Sequence, residues 1–183
     1  YIVTNDHELQ AMQADLNSCY EIGNNINVSL TDQWNSGSGF SPIGDDSNEF
    51  TGKINGNGYR IKGLYISRNS DHVGLLGKTS GSTVSGLKVI EANVTNTNIV
   101  SFESNSGTGI LSGYYDGDIN DVLVSGDVTL SSGGNYAGGI AGYAELSCSR
   151  CVAIVNVTGE TDTGGIVGNM GGDRQGIEDS YSY

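Results

Sequence analysis

The sequence predicts an all-β fold, a right-handed parallel β-helix (β-solenoid) of about five to six coils with a short N-terminal capping helix. Three observations carry that expectation. A Gly-rich segment recurs four times, as His72-Val73-Gly74-Leu75-Leu76-Gly77, Thr108-Gly109-Ile110-Leu111-Ser112-Gly113, Ala137-Gly138-Gly139-Ile140-Ala141-Gly142 and Thr163-Gly164-Gly165-Ile166-Val167-Gly168, with final glycines 36, 29 and 26 residues apart. Each copy is followed by a second apolar pattern: Val84-x-x-Leu87-x-Val89, Ile119-x-x-Val122-x-Val124, Cys148-x-x-Cys151-x-Ala153 and the start of Ile177-x-x-Ser180. Within the copies apolar residues alternate with others, the period of a strand with one face in and one face out.

A unit of this length cannot bury its own apolar face, whereas stacked units share a continuous core. Glycine at fixed offsets allows bends and close approaches where a Cβ would clash. Matching apolar residues of successive coils should therefore stack in columns. One column is expected to hold Ile61, Val84, Ile119, Cys148 and Ile177, and its neighbour Leu64, Leu87, Val122 and Cys151. Ile61 and Leu64 come from an earlier copy, Ile61-x-x-Leu64-x-Ile66, which lacks an evident Gly-rich partner. At roughly 4.8 Å per coil the stack is a rod of about 25 Å.

The pattern makes residues 1-183 one module, with 1-17 a strand plus capping helix and 18-183 the coils, the last incomplete. At the N-terminus Thr4-Asn5-Asp6-His7-Glu8 offers a helix cap with acidic residues in the first turn. Leu9, Met12 and Leu16 then share one helical face, so a helix over 5 to 17 is expected to lid the open core and the unpaired strand edge. Residues 96 to 107 lengthen the third coil as a protruding loop.

Low hydrophobicity (36%) and a net charge of -13 would suit a disordered chain, but the apolar residues are evenly spaced and punctuated by turn formers. With 21 acidic residues against 8 Lys and Arg, the chain lacks the clustered cations that nucleic-acid binding needs. The same charge disfavours anionic membranes, and no apolar stretch is long enough to insert across a bilayer. The chain begins at Tyr1 without Met or a signal-type segment, as expected of a mature or excised chain.

The Gly-Gly-Ile-Ala-Gly and Gly-Gly-Ile-Val-Gly copies, with their Ile-x-x partners, resemble GLUG repeats. The lead-in is similar too: Glu8-Leu9-Gln10-x-Met12, Tyr20-Glu21-Ile22, Gly39-Phe40-Ser41-Pro42-Ile43-Gly44, then Phe50-Thr51-Gly52-x-Ile54-Asn55-Gly56-Asn57-Gly58. The resemblance spans nearly the whole chain. It implies a non-catalytic β-helical region of large bacterial or archaeal surface proteins, such as adhesins and the stalks of IgA-peptidase-like proteins, and brings no set of ligand-binding residues with it.

Candidate chemistry is sparse. Cys148-Ser149-Arg150-Cys151 is a C-x-x-C without further Cys or His ligands, so both sulfurs are expected as small core residues, with a local disulfide the alternative. Asp116, Asp118 and Asp121, with Asp45-Asp46 and Gly171-Gly172-Asp173 elsewhere, are candidate calcium ligands set against a reading as solvated turns. No HExxH, no His-centred constellation and no cation within an acidic cluster is evident, so the chain is expected not to be an enzyme; a polysaccharide-acting β-helix is the weighed alternative. Tyr114, Tyr115 and Tyr143 could form an exposed stacked row suited to glycan or protein contact, or a row that only stiffens a corner. Sequons occur at Asn27, Asn93 and Asn156, in a chain whose composition alone generates such triplets.

The functional expectation is an extracellular structural and adhesive module at the cell surface. Its partner would be a glycan or protein of a host or neighbouring cell, or further copies of itself if open ends stack into a filament or stalk. No cofactor is implied beyond the candidate calcium.

Overall fold

A computed structural model describes residues 1–97, 105–131, 135–172 and 176–183. Most of the loop expected over 96 to 107, and Asp173 with it, lies outside the described residues. The strands pair in parallel and collect into three sheets. The first is ordered Ile2–Val3, Cys19–Ile22, Lys53–Asn55, Ser82–Ser85, Ser112–Asn120, Ala141–Ser149 and Val167–Met170. Leu76–Lys78 pairs beside 112–120 and Gly176–Glu178 beside 141–149. The second runs Ile26–Asn27, Arg60–Lys62, Lys88–Asn96, Leu123–Leu130, Val152–Thr158 and Tyr181–Ser182, with Tyr65–Arg68 also on 88–96. The third is short: His72–Val73, Gly107–Thr108, Tyr136–Gly138 and Thr163–Gly164. The chain visits the sheets in turn, so each pass lays its strands beside those of the pass before.

Register turns the apolar alternation into columns. Tyr20, Ile54, Val84, Ile119, Cys148 and Ile177 stand level on the first sheet, and the first five are buried. Ile177 is the exception at 38% exposed. Leu87, Val122 and Cys151 form the neighbouring column at the corner into the second sheet.

Ile61 and Leu64 correct the expected columns. Ile61 stands level with Ile26 and Val89, and Leu64 with Ala92, so this copy belongs five residues further along the pass. The reason is local ambiguity. The apolar spacing of Val84, Leu87 and Val89 repeats at once in Val89, Ala92 and Val94, and only pairing selects the phase. Ile54 supplies the true counterpart of Val84.

The corner between these columns is tight. Gly86, Asp121, Arg150 and Asp179 occupy level positions and all have left-handed backbone, with φ of 60°, 55°, 54° and 49°. Gly and Asp suit that conformation. Arg150 does not, and its guanidinium spans back one pass to Asp121, with Nε at 2.6 Å from Oδ1 and the second contact at 2.7 Å from Oδ2.

Around the same corner Cys148 and Cys151 are buried and joined as a disulfide, where packed thiols were the leading expectation. The turn over Ser149-Arg150 brings the two Cα atoms to 6.3 Å, within bridging range. Closing so short a loop stabilises by about 2 kcal/mol on the chain-entropy model. The double variant Cys148→Ala with Cys151→Ala should therefore lose about that much in a urea titration. A variant as stable as the wild type would show that the bridge adds nothing beyond packing.

The N-terminal lid is shorter than the apolar spacing suggests. The helix spans Asp6–Ala11 and tightens into a 3-10 turn over Met12–Ala14. Asn5 caps it through its side chain, accepting from the Glu8 N–H. Leu9 and Met12 are buried and Leu16 packs against the core. Gln10 fixes the lid sideways: its amide donates to the Ser41 carbonyl and accepts from the Ser41 N–H. No helix among the described residues is long and apolar enough to cross a membrane.

Candidate functional site

Two ladders meet along the border of the first and third sheets. Lys78, Tyr114, Tyr143 and Asn169 stand level on the first, and His72, Gly107 and Tyr136 on the third. Alternation turns Tyr114 outward and the next residue inward, so Tyr115 is wholly buried and does not belong to the candidate exposed row. The Tyr115 hydroxyl is satisfied inside by the Asp118 carbonyl at 3.2 Å.

The outward aromatics form a contiguous strip. Tyr114 and Tyr143 stack at 5.3 Å between centroids, and Tyr136 leans on Tyr143 at 5.4 Å. The Lys78 ammonium sits 5.3 Å over the Tyr114 ring, and His72 meets that ring edgewise. With neighbours above and below it, Tyr114 offers its rim rather than an open face. Its hydroxyl donates to Glu145 at 3.1 Å. Burial first, then this carboxylate, push the Tyr114 phenol far above its ordinary value, and burial with Glu145 and Tyr136 does the same more mildly to Tyr143.

Beside the strip lies a charged cluster that the sequence pattern does not disclose. Asp46 Oδ1 is 3.1 Å from His72 Nε2 and 3.0 Å from Lys78 Nζ, and Lys78 also reaches Glu49 at 3.0 Å. His72 and Lys78 thus do have acidic neighbours, drawn from a segment some thirty residues earlier. Burial opposes the charge on Asp46, yet Lys78 and His72 together hold its carboxyl below the usual range. Burial likewise opposes the charge on Lys78, and Glu49 and Asp46 outweigh it, so that ammonium is raised.

His72 behaves differently. Its side chain is only 8% exposed, and burial pulls its pKa down against the opposing pull of Asp46. A carboxylate can only accept, so Nε2 carries the proton and Nδ1 is the bare nitrogen, buried without a hydrogen-bond partner among the described residues. Protonation would place an N–H where no described residue accepts it. A histidine whose folded pKa lies below its ordinary 6.5 contributes stability that is complete above pH 6.5 and is lost as pH falls below it. The thermal midpoint should therefore drop between pH 7 and pH 5, and the drop should shrink in His72→Gln. Equal slopes in the two proteins, measured by calorimetry, would contradict this.

The candidate calcium ligands Asp116, Asp118 and Asp121 are not gathered into one cluster. Asp116 and Asp118 lie on the solvent face of a strand rather than in a turn. Asp116 accepts from the Gly81 N–H, while Asp121 turns the corner and is held by Arg150, which keeps its carboxyl below the usual range. Among the described residues no group of three or more His, Cys, Asp and Glu side chains is placed to hold a metal ion. Of the residues that build the site, Tyr136 and His72 were legible in principle, because both sit two residues before the first conserved-spacing glycine of their copies. Asp46, Glu49 and Glu145 carried no such signal.

No protein-family model matches the chain. Halomucin from Haloquadratum walsbyi is 34% identical over 184 residues, covering 93% of this chain but 2% of that protein. A protein of Evansella cellulosilytica, named as a Gly-rich membrane protein, is 55% identical over 42 residues, which is 22% of this chain and 5% of that one. The chain therefore spans only a small fraction of either relative. Among solved structures, it is similar to a Bacteroides ovatus protein described, by name alone, as an immunoglobulin A1 protease, with a TM-score of 0.63 and 17% identity over 93% of this chain and 62% of that one. At that identity the likeness is one of fold.

Proposed function

We propose that this chain is a GLUG-type parallel β-helical segment of a cell-surface or secreted protein, acting as a rigid spacer and contact module rather than as an enzyme. The observation that carries the reading is the in-register stacking of six successive rungs from Tyr20 to Ile177, the first five with buried side chains. Such a stack is stiff because each pass is hydrogen-bonded to the next, and it extends by adding passes. Two findings support the extracellular part. A disulfide between Cys148 and Cys151 suits an oxidising compartment. The similarity to 2% of halomucin suits one module within a very long chain.

The contact surface is the strip of Tyr136, Tyr143 and Tyr114 with its flanking charges. Tyrosine offers rigid amphipathic area at little entropic cost, and the acidic and basic groups around it favour a polar partner such as a surface glycan or protein. The test is binding of the purified chain to glycan arrays and to intact cells, beside Tyr143→Ala and Tyr136→Ala. The expected result is binding that falls at least tenfold in the variants, equivalent to about 1.4 kcal/mol. Absence of binding to both would remove the contact role and leave the spacer.

A further inference from the structure

The three sequons fall together in space. Asn27, Asn93 and Asn156 all lie on strands of the second sheet, Ile26–Asn27, Lys88–Asn96 and Val152–Thr158, and all three are exposed. They sit on alternate passes, because Arg60–Lys62 separates the first strand from the second and Leu123–Leu130 the second from the third. In each triplet the middle residue is valine, and Val28 and Val94 are buried while Val157 packs against the core. We propose that these asparagines are N-glycosylated, and that the second sheet is the sugar-bearing face of the rod.

The geometry suits the reaction. A transferase must reach the Asn amide and the hydroxyl two residues on at the same time. In a strand those residues project to the same side, so Asn93 with Thr95 and Asn156 with Thr158 present both groups outward while valine anchors the strand inward. Asn27 achieves the same by a turn, its Oδ1 accepting from the Ser29 N–H at 3.1 Å. The Asn93 side-chain amide makes no hydrogen bond to a described residue, while its backbone N–H donates to the Leu64 carbonyl. The Asn156 Nδ2 donates to Asp127 at 2.8 Å and has a second hydrogen to lose.

Spacing supplies the second argument. Neighbouring strands lie about 4.8 Å apart, too close for branched sugars on adjacent rungs, whereas alternate rungs give about twice that. Asn93 and Asn156 share one ladder, and the rung between them holds Asp127 in an otherwise matching Asp127-Val128-Thr129. Sugars there would also cover Ile154, which is 49% exposed on the same face as Asn156. The tyrosine strip lies on the other two sheets and stays clear.

In the transfer the Asn Nδ2 attacks the anomeric carbon of a glycan carried on a polyprenyl phosphate or diphosphate. The C–N bond forms, the C–O bond to the carrier breaks, Nδ2 gives up one proton and the carrier leaves as its phosphate. The proposal rests on export from the cell, so the test reads both. The protein is purified from its native source under thiol-blocking conditions and its peptides are analysed by mass spectrometry. Expected are glycan masses on at least two of Asn27, Asn93 and Asn156, with Cys148 and Cys151 oxidised, and loss of each mass in the matching Asn→Gln variant. Sugar on fewer than two sites with the cysteines oxidised overturns the glycosylation and leaves export standing; blocked, reduced cysteines with bare asparagines overturn both.

Discussion

Replacing Tyr115 with Ala is expected to destabilise the fold by about 3–5 kcal/mol, the range for emptying a buried aromatic site. Tyr115 is among the largest fully buried side chains and stands level with Ala144 and Met170 of later passes. Ala144, the level neighbour on the adjacent pass, is too small to refill the cavity. Tyr115→Phe should recover most of the loss, since the ring is kept and only the hydroxyl, with its hydrogen bond to the Asp118 carbonyl, is removed. Tyr143→Ala, one rung away but outward, should cost far less. Chemical denaturation of the three variants checks the ordering, and a Tyr115→Ala protein no weaker than Tyr143→Ala would refute the inward assignment.

Gly142→Ala should be almost as damaging, by about 1–3 kcal/mol or more, although it adds a single methyl group. A Cβ at Gly142 would lie 2.1 Å from the Thr108 nitrogen and 2.5 Å from the Gly107 carbon. Those atoms are backbone of the preceding pass, so no side chain can swing aside. Gly113 and Gly168 meet the neighbouring backbone in the same way, against Val73 and Ala137. The glycine that ends each of the last three Gly-rich copies is therefore a contact between the first and third sheets, whereas Gly77 approaches the Gly44 carbonyl instead. Gly176→Ala makes the control, because no described residue lies within 4 Å of its Cβ position and its backbone is extended. Thermal unfolding should separate the two variants clearly; equal midpoints would mean that the sheets do not approach so closely.

These effects share a cause with the proposed function. A stack whose passes touch through backbone and through level side chains transmits load along its length, and it keeps outward residues in fixed relative positions. The tyrosine strip and the three asparagines are held on different sheets by that framework, so contact and shielding can be assigned to separate faces.

By itself the sequence determined the alternation, the level stacking of Val84, Ile119 and Cys148 beside Leu87, Val122 and Cys151, and the lid built on Leu9 and Met12. These follow from short-range periodicity, which a chain carries locally. It also held an unused signal, since the adjacent Tyr114 and Tyr115 cannot face the same way in a strand. Only the tertiary structure decided the phase of Ile61 and Leu64, because the same apolar spacing recurs twice within one pass and pairing alone selects between them. It alone joined Cys148 to Cys151 and set Asp46 against His72 and Lys78, since these contacts depend on how the backbone turns a corner and on which pass lies alongside.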